Sequence, residues 1–387
     1  MKTKSLFSLT ITMLALAACS ENEITEQNPE VNKSIGFDTY ASVQTRSEER
    51  GIAALKLYGI GVMAYQTTGA YSTTGAKSEI MNNQRVEWDN TNSKWKYDPV
   101  KFWPVGTDEK VSFFAYSPYT SASNAGLYNI TPASADASNN PKINYTLKDY
   151  QSILIDLLVS DPAASNCVTT DLTSGTVKFK FIHPLTRVDM VAKTGTDISQ
   201  NTDTKVFITG VSLIHSSKLN KKGTLDMKTL TWADNTSDYL ASPYVLEEYS
   251  NSGNSGVLNL TTANFAGYTT KSIDISAGGT TATPLFYKDA SGQLSDQFLF
   301  LLPVSNDTGT ASVGDVKVKI AYDIVNKTSD TTHAKSSVEK TVNLPAGVFK
   351  KGSAHKFIFT IGLNAITFDV DTDASWGAET DNSITVQ

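Results

Sequence analysis

Cysteine and histidine are scarce in this chain: two cysteines, Cys19 and Cys167, and four histidines in 387 residues. A disulfide framework needs more thiols than that, and a structural zinc site needs cysteine or histidine ligands in clusters that do not occur. Charge is sparse too, at 19% of residues, and carries no basic excess; the formal net charge is −6. That sign argues against nucleic acid and anionic membrane surfaces as partners. The apolar run from Leu6 to Ala18 is too short to span a bilayer stably. Neither G-x-S-x-G nor H-E-x-x-H occurs, so the common nucleophile and zinc-hydrolase motifs are missing.

The remaining polar groups that could carry chemistry are isolated. Asp369, Asp371 and Asp373 alternate like the start of a calcium loop, but Ala374 stands where the loop needs glycine and Thr380 where it needs glutamate. Three solvated carboxylates are the better reading. His183 precedes Pro184 at the end of an alternating run and reads as a structural residue at a bend, while His215, His333 and His355 have polar neighbours and no cysteine nearby. Glu247 and Glu248 are adjacent, which on a strand points them to opposite faces. No enzyme activity, metal or cofactor is expected.

What is present begins with a leader. Lys2 and Lys4 precede the apolar run, which ends in Leu16-Ala17-Ala18 directly before Cys19. These are the three regions of a secretory signal. With a cysteine at the cut, residues 1–18 resemble a bacterial lipoprotein signal and Cys19 is the expected lipidation site. Cys167 is then left without a partner, and the loss of two lysines takes the net charge to −8. Residues 19–34, with four glutamates and Pro29, read as a polar tether.

Next comes one alternating stretch. Ile35, Phe37, Thr39, Ala41 and Val43 alternate with Gly36, Asp38, Tyr40 and Ser42, the period of a half-buried strand. Arg46 and Arg50 follow in the polar connection Gln44 to Gly51, which a protease could enter.

Downstream, short β-type runs repeat. Leu55, Leu57, Ile60, Val62 and Ala64 suggest a strand with a bulge near Gly59 or Gly61. Trp88 and Trp95 flank a turn and predict a hairpin with paired rings. Ser121 to Asn140 reads as a long loop. Tyr150, Ile153, Leu154, Leu157 and Leu158 fall at helical spacing and predict a short amphipathic turn or an irregular strand. Val177, Phe179 and Phe181 form a clear strand. Thr194 to Thr204 holds Ile198 as its single large apolar residue and is the expected boundary between domains of residues 35–198 and 199–387. The second half repeats the style of the first, ending in strands at Phe357 to Leu363 and Ile366 to Val370. The chain is too long for one ordinary core. The fold class expected is all-β, two antiparallel β-sandwich domains in tandem.

Several patterns, in order, carry a family likeness: Cys19; Phe37 through Thr45-Arg46; Trp95-Lys96-Tyr97 with Phe102-Trp103-Pro104; Ser112 through Pro118; Asp156-Leu157-Leu158; Phe181 through Leu185; Gly223 through Asp226 with Trp232; Leu301 to Pro303; and Gly352 to Phe359 with Ile366 and Trp376. Together they resemble the Bacteroidales fimbrillin family, the lipoprotein pilins of type V pili and their minor relatives. The resemblance implies Greek-key, transthyretin-like sandwiches, a lipid anchor in the outer membrane and exposure on the cell surface. It further implies cleavage by an arginine-specific protease after Arg46, with Arg50 as second choice. Loss of the first strand (Ile35, Phe37, Thr39, Ala41, Val43) would then open a groove that another pilin subunit fills with a strand of its own. The region after Ile366 could be such a donor, or could fold back and end a filament. A host protein or glycan is the receptor class implied. Trp88, Trp95, Tyr97 and Trp103 support an alternative, an uncleaved surface-anchored glycan-binding lipoprotein, if their rings are exposed and coplanar.

Overall fold

The computed structural model describes residues 33–41, 48–106, 108–147, 156–163, 175–199, 201–234, 237–249, 256–287, 298–304, 316–345, 348–362 and 366–372. Cys19, Val43, Arg46, Cys167 and Trp376 lie outside that set, as do 148–155, the body of the stretch with helical spacing.

In chain order the elements are β1 (Gly36–Ala41), α1 (Glu48–Tyr58), β2 (Ile60–Thr68), β3 (Ser78–Asp89), β4 (Lys94–Lys96), β5 (Glu109–Ser117), α2 (Ala125–Tyr128), β6 (Ile130–Ala133), β7 (Lys142–Thr146), β8 (Leu158–Ser160) and β9 (Thr176–Ile182). There follow β10 (Thr186–Thr194), α3 (Thr196–Ser199), β11 (Thr204–Ile214), β12 (Lys222–Asp226), β13 (Thr231–Asp234), β14 (Tyr244–Leu246), β15 (Thr261–Thr262), β16 (Lys271–Asp274) and β17 (Thr283–Pro284). The last are β18 (Leu299–Leu301), β19 (Lys317–Ser329), β20 (Thr332–Asn343), β21 (Ala354–Ile361) and β22 (Ile366–Thr372).

These strands form four sheets. The first has seven strands in the order β1-β9-β8-β5-β2-β3-β4, and a four-stranded sheet runs β13-β12-β7-β6. A five-stranded sheet runs β17-β10-β21-β22 with β18 also on β10, and a six-stranded sheet runs β15-β16-β11-β19-β20 with β14 also on β11. Met63, Tyr65, Phe114 and Tyr116 on one face of the seven-stranded sheet share a core with Ile143, Tyr145, Leu225 and Trp232 of the four-stranded one. Val188, Met190, Phe357 and Phe359 meet Val206, Ile208, Val318 and Ile320 of the six-stranded sheet in the same cluster. The architecture is all-β, with sheets packed face to face across apolar side chains that alternate along each strand.

The expectation of purely antiparallel sheets is corrected at two places. β1 runs parallel to β9, from Gly36 opposite Thr176 to Ala41 opposite Phe181, and β10 runs parallel to β21. Parallel partners cannot be joined by a hairpin, so each pair closes over a long stretch of intervening chain.

Residue 198 lies between β10 of the five-stranded sheet and β11 of the six-stranded sheet, and strand pairings cross it. β10, ahead of it, lies in the five-stranded sheet with β21, while β12, beyond it, pairs with β7. The apolar-poor stretch carries the turn from β10 to β11, pinned by the buried Ile198 of α3.

Leu55 and Leu57 sit on α1 and not on a strand. Among the described side chains of α1 Leu55 alone is buried, so they leave no apolar period to read. The irregularity expected near Gly59 or Gly61 falls slightly later, where the β2–β3 register shifts on either side of Ala64. Leu158 opens β8, and part of the expected loop 121–140 is β6.

Candidate functional site at the first strand

The second face of the seven-stranded sheet builds its own core, containing Val62, Ala64, Phe113, Ala115, Val177, Phe179 and Phe181 with Leu55, Met81 and Trp103. One member, Phe37, comes from β1, the edge strand, and another, Ile35, directly precedes it. Ile35 is 2% exposed and Phe37 8%. The Phe37 ring stacks on Phe179 at 5.6 Å and meets Tyr97 at 5.3 Å and Phe113 at 5.9 Å. Burying each of these side chains is worth roughly 1.5 to 3 kcal/mol.

The start of β1 is gripped from its other side as well. Ile35 N donates to Lys101 O at 2.9 Å, Trp103 N donates to Lys33 O at 3.1 Å, and Ser34 bridges Phe102 in antiparallel sense. Tyr97 locks this clasp: its hydroxyl donates to Ile35 O at 2.7 Å and accepts from Lys101 N at 3.2 Å. Burial pushes the Tyr97 phenol up from its ordinary value, so it stays a donor. Beyond Phe37 the backbone of β1 is paired on the β9 side alone among the described residues. Val100, Phe102 and Val105 are exposed in and beside the clasp, a concentration of apolar surface of the kind that marks contact sites.

Further along β1 the fit worsens. Thr39 follows Ile35 and Phe37 on the inward side, but its Oγ1 is buried without a hydrogen-bond partner among the described residues. Leaving a buried hydroxyl unsatisfied costs about 1 to 3 kcal/mol. Trp103 Nε1, in the same core, is also buried and unpartnered among those residues. Ala41 closes the strand opposite Phe181.

Removing β1 would therefore strip two large side chains from a core and unpair one side of β9. An apolar slot with a free backbone row is the kind of edge onto which another strand adds. The clasp was not foreseen from sequence as a unit, although Tyr97 and Phe102-Trp103 stood out as aromatic patterns.

The other expected sites are placed as follows. Arg50 lies in the first turn of α1, and Arg46 falls between β1 and α1, outside the described residues. Trp88 and Trp95 pair across β3 and β4, but their rings meet at 72° and Lys56 Nζ caps Trp88 at 3.9 Å. Trp103 is 3% exposed and Tyr97 is half-buried in the clasp. The four rings thus offer no common exposed plane for a sugar. Asp369 and Asp371 stand on β22, and Asp373 lies outside the described residues. His183 Nδ1 pairs with Asp156 at 2.5 Å where β9 passes into β10, beside Pro184, whose carbonyl accepts from Trp232 Nε1 at 2.8 Å.

β22 holds the chain's last described residues on the outer edge of the five-stranded sheet, antiparallel to β21, with Phe359 opposite Phe368 and Phe357 opposite Val370. Phe368 and Val370 are buried there.

Comparison with known proteins bears on this edge. Residues 45–376 match the family model described as fimbrillin-like. Over 404 aligned positions, covering 100% of both chains, the sequence is 37% identical to the fimbrium subunit Fim1C of Phocaeicola vulgatus strain ATCC 8482. The crystal structure of a fimbrial protein from Bacteroides vulgatus ATCC 8482 superimposes with a TM-score of 0.74 at 32% identity, covering 89% of this chain and 99% of that one.

Proposed function

This chain belongs to the fimbrillin-like family, and we propose that it is a fimbrial subunit that joins its neighbours by exchanging its first strand. The observation that carries the reading is the position of β1: an edge strand whose Phe37, with Ile35 just ahead of it, completes a core, followed directly by a connection with an arginine.

In this reading Cys19 carries lipid after removal of residues 1–18, and the polar stretch 19–34 spaces the protein from the outer membrane. Two acyl chains or more would hold it firmly, at about 0.8 kcal/mol per buried CH₂. An arginine-specific protease cuts after Arg46. Arg50 is the weaker candidate, since cutting there requires opening the first turn of α1. The cut leaves α1 with the product and frees β1, and a strand from another subunit takes its place. Repetition of that head-to-tail contact does not close and so builds a filament. The sandwiches are of Greek-key, transthyretin-like type, arranged as two tandem domains, and the fimbria presents its subunits to a host protein or glycan. The protein acts without catalysis or cofactor.

Limited digestion of the mature chain with an arginine-specific protease tests this, reading the new N-terminus and then the size of the product. A cut after Arg46, loss of β1 and concentration-dependent oligomers are expected. A resistant chain, or a cut one that keeps β1 and stays monomeric, would overturn the exchange and leave an uncleaved surface anchor.

A further inference from the structure

The first described residues lie inside the clasp, and the ladder there sets the path of the residues before them. Lys33 O accepts from Trp103 N at 3.1 Å, Ile35 N donates to Lys101 O at 2.9 Å, and Ser34 stands opposite Phe102 in antiparallel sense. Continued in that register, Asn32 meets Pro104 and Val31 meets Val105. Opposed residues of an antiparallel ladder alternate between bonded and non-bonded pairs. The two hydrogen bonds flank Ser34 and Phe102, which makes them a non-bonded pair and Asn32 with Pro104 the next one. Pro104 thus falls where a missing N–H costs no ladder bond. Val31 and Val105 form the bonded pair beyond it.

Side chains agree with that register. Val105 is 63% exposed at the end of the clasp. Val31 is the single large apolar residue of the stretch 25–34, and the register sets it opposite that valine. β1 itself is held unevenly. Ile35 and Phe37 are buried at its start, and the Tyr97 hydroxyl donates to Ile35 O at 2.7 Å. Toward its end Thr39 keeps a buried hydroxyl with no partner among the described residues, and Ala41 is small. The firm end adjoins the tether and the weak end adjoins the connection with Arg46.

We propose that Trp103 to Val105 is the docking site of residues 31–33 of this chain's own N-terminal stretch, with Val31 packed on Val105. The clasp then runs unbroken from Val31 to Ile35, and the free spacer ends at Glu30. A consequence, which rests on the cleavage reading above, is that the excised piece peels from Ala41 and is held longest at 31–35. The clasp therefore slows its departure, and a freshly cut subunit stays attached to its anchor for that time.

The test uses the mature chain and three variants, Val31→Asp, Val105→Lys and the two together, with amide hydrogen exchange read residue by residue. In the parent the amides of Val31 and Val105 should exchange slowly and that of Asn32, which points away from the partner, quickly. Val31→Asp should remove the protection, and Val105→Lys should restore it, because opposite charges attract across a strand pair. Fast exchange at Val31 and Val105 in the parent, or a loss in V31D that V105K does not repair, would overturn the docking. After arginine-specific cutting, the excised piece should leave the V31D chain about ten-fold faster than the parent, the effect of one valine no longer buried. The double variant should fall between them. Equal rates would overturn the hold on the excised piece. A chain that resists cutting would count against strand exchange alone, and the amide measurement on the intact chain would still decide the docking.

Discussion

β1 and β20 are both edge strands, and they handle exposure in opposite ways. β1 is six residues long, turns Phe37 into a core beside Ile35 just ahead of it, and is clasped at its start by Tyr97 and Phe102. β20 is twelve residues long and exposed over most of both faces, with Val338 half-buried and Val342 buried. Its side chains include Lys335, Glu339 and Lys340, with Lys335 reaching the buried Asp323 at 3.6 Å and Glu339 meeting Lys319 at 3.2 Å. Charge along an edge strand discourages pairing with another chain. One edge is thus guarded by side chains that keep neighbours off. On the strand-exchange proposal, the other is guarded by a strand that leaves, and an edge used for assembly needs that second device.

The largest test of that contrast is Phe37→Ala. The ring lies among Phe179, Tyr97 and Phe113, and its loss should cost about 3 kcal/mol of stability in the intact chain, at the lower end for a buried phenylalanine. Denaturant titration reads it. After cutting and loss of β1, the same substitution should have no effect, because the residue has left with its strand. A persistent difference in the trimmed chain would show that Phe37 does not belong to a removable part.

Acid sharpens the comparison at a third edge, β22. His355 on β21 stands opposite Thr372, and burial holds its imidazole down to about 4. The unfolded chain takes up the proton near pH 6.5 while the folded one resists it. Stability from this residue is therefore complete above pH 6.5, falls as pH drops from 6.5 toward 4, and is gone below that. The total is roughly 3 kcal/mol. A pH series of denaturant midpoints should show this slope, and His355→Leu should flatten it. Loosening should appear by hydrogen exchange at β21 and β22 before β1.

Tyr97→Phe comes next in size. It deletes the hydroxyl that serves Ile35 O and Lys101 N while keeping the ring against Phe37. The expected cost is about 1 kcal/mol, with faster exchange of amides at the start of β1. Unchanged exchange there would mean that the backbone bridge to 101–103 holds the strand without the hydroxyl.

These edges were unequally legible in the sequence. Ile35 and Phe37, like Val177, Phe179 and Phe181, alternate with polar residues because one face of each strand is buried, so period alone reveals them. Trp88 and Trp95 announce their hairpin because a short turn separates the partners. β20 was seen only as Val338 to Val342, since a strand exposed on both faces leaves no period over its first six residues. The parallel pairing of β1 with β9 was not legible at all, because its partner lies some 140 positions away and nothing local specifies direction. The clasp escaped for a related reason: Tyr97 acts through its hydroxyl on backbone atoms, which no side-chain pattern records. Thr39 looked like any polar residue of a strand until its burial was known.

The smallest effect on stability, and the most direct attack on the contrast, comes from making β20 resemble β1. Ser336 and Lys340 alternate with Val338 and Val342, so Ser336→Val together with Lys340→Val would turn one face into an apolar row. Both positions are exposed, and the fold should change in stability by no more than about 0.5 kcal/mol. Association should change instead. With Lys340 gone and an apolar row on one face, a long edge paired on the β19 side alone among the described residues becomes a template for a second chain. Sedimentation velocity should show concentration-dependent dimers for the double variant and not for the parent, with the seven-stranded sheet intact and β1 in place. A double variant that stays monomeric would mean that Lys340 is not what keeps that edge closed, leaving Lys335, Glu339 and the shape of the β19–β20 hairpin to do so.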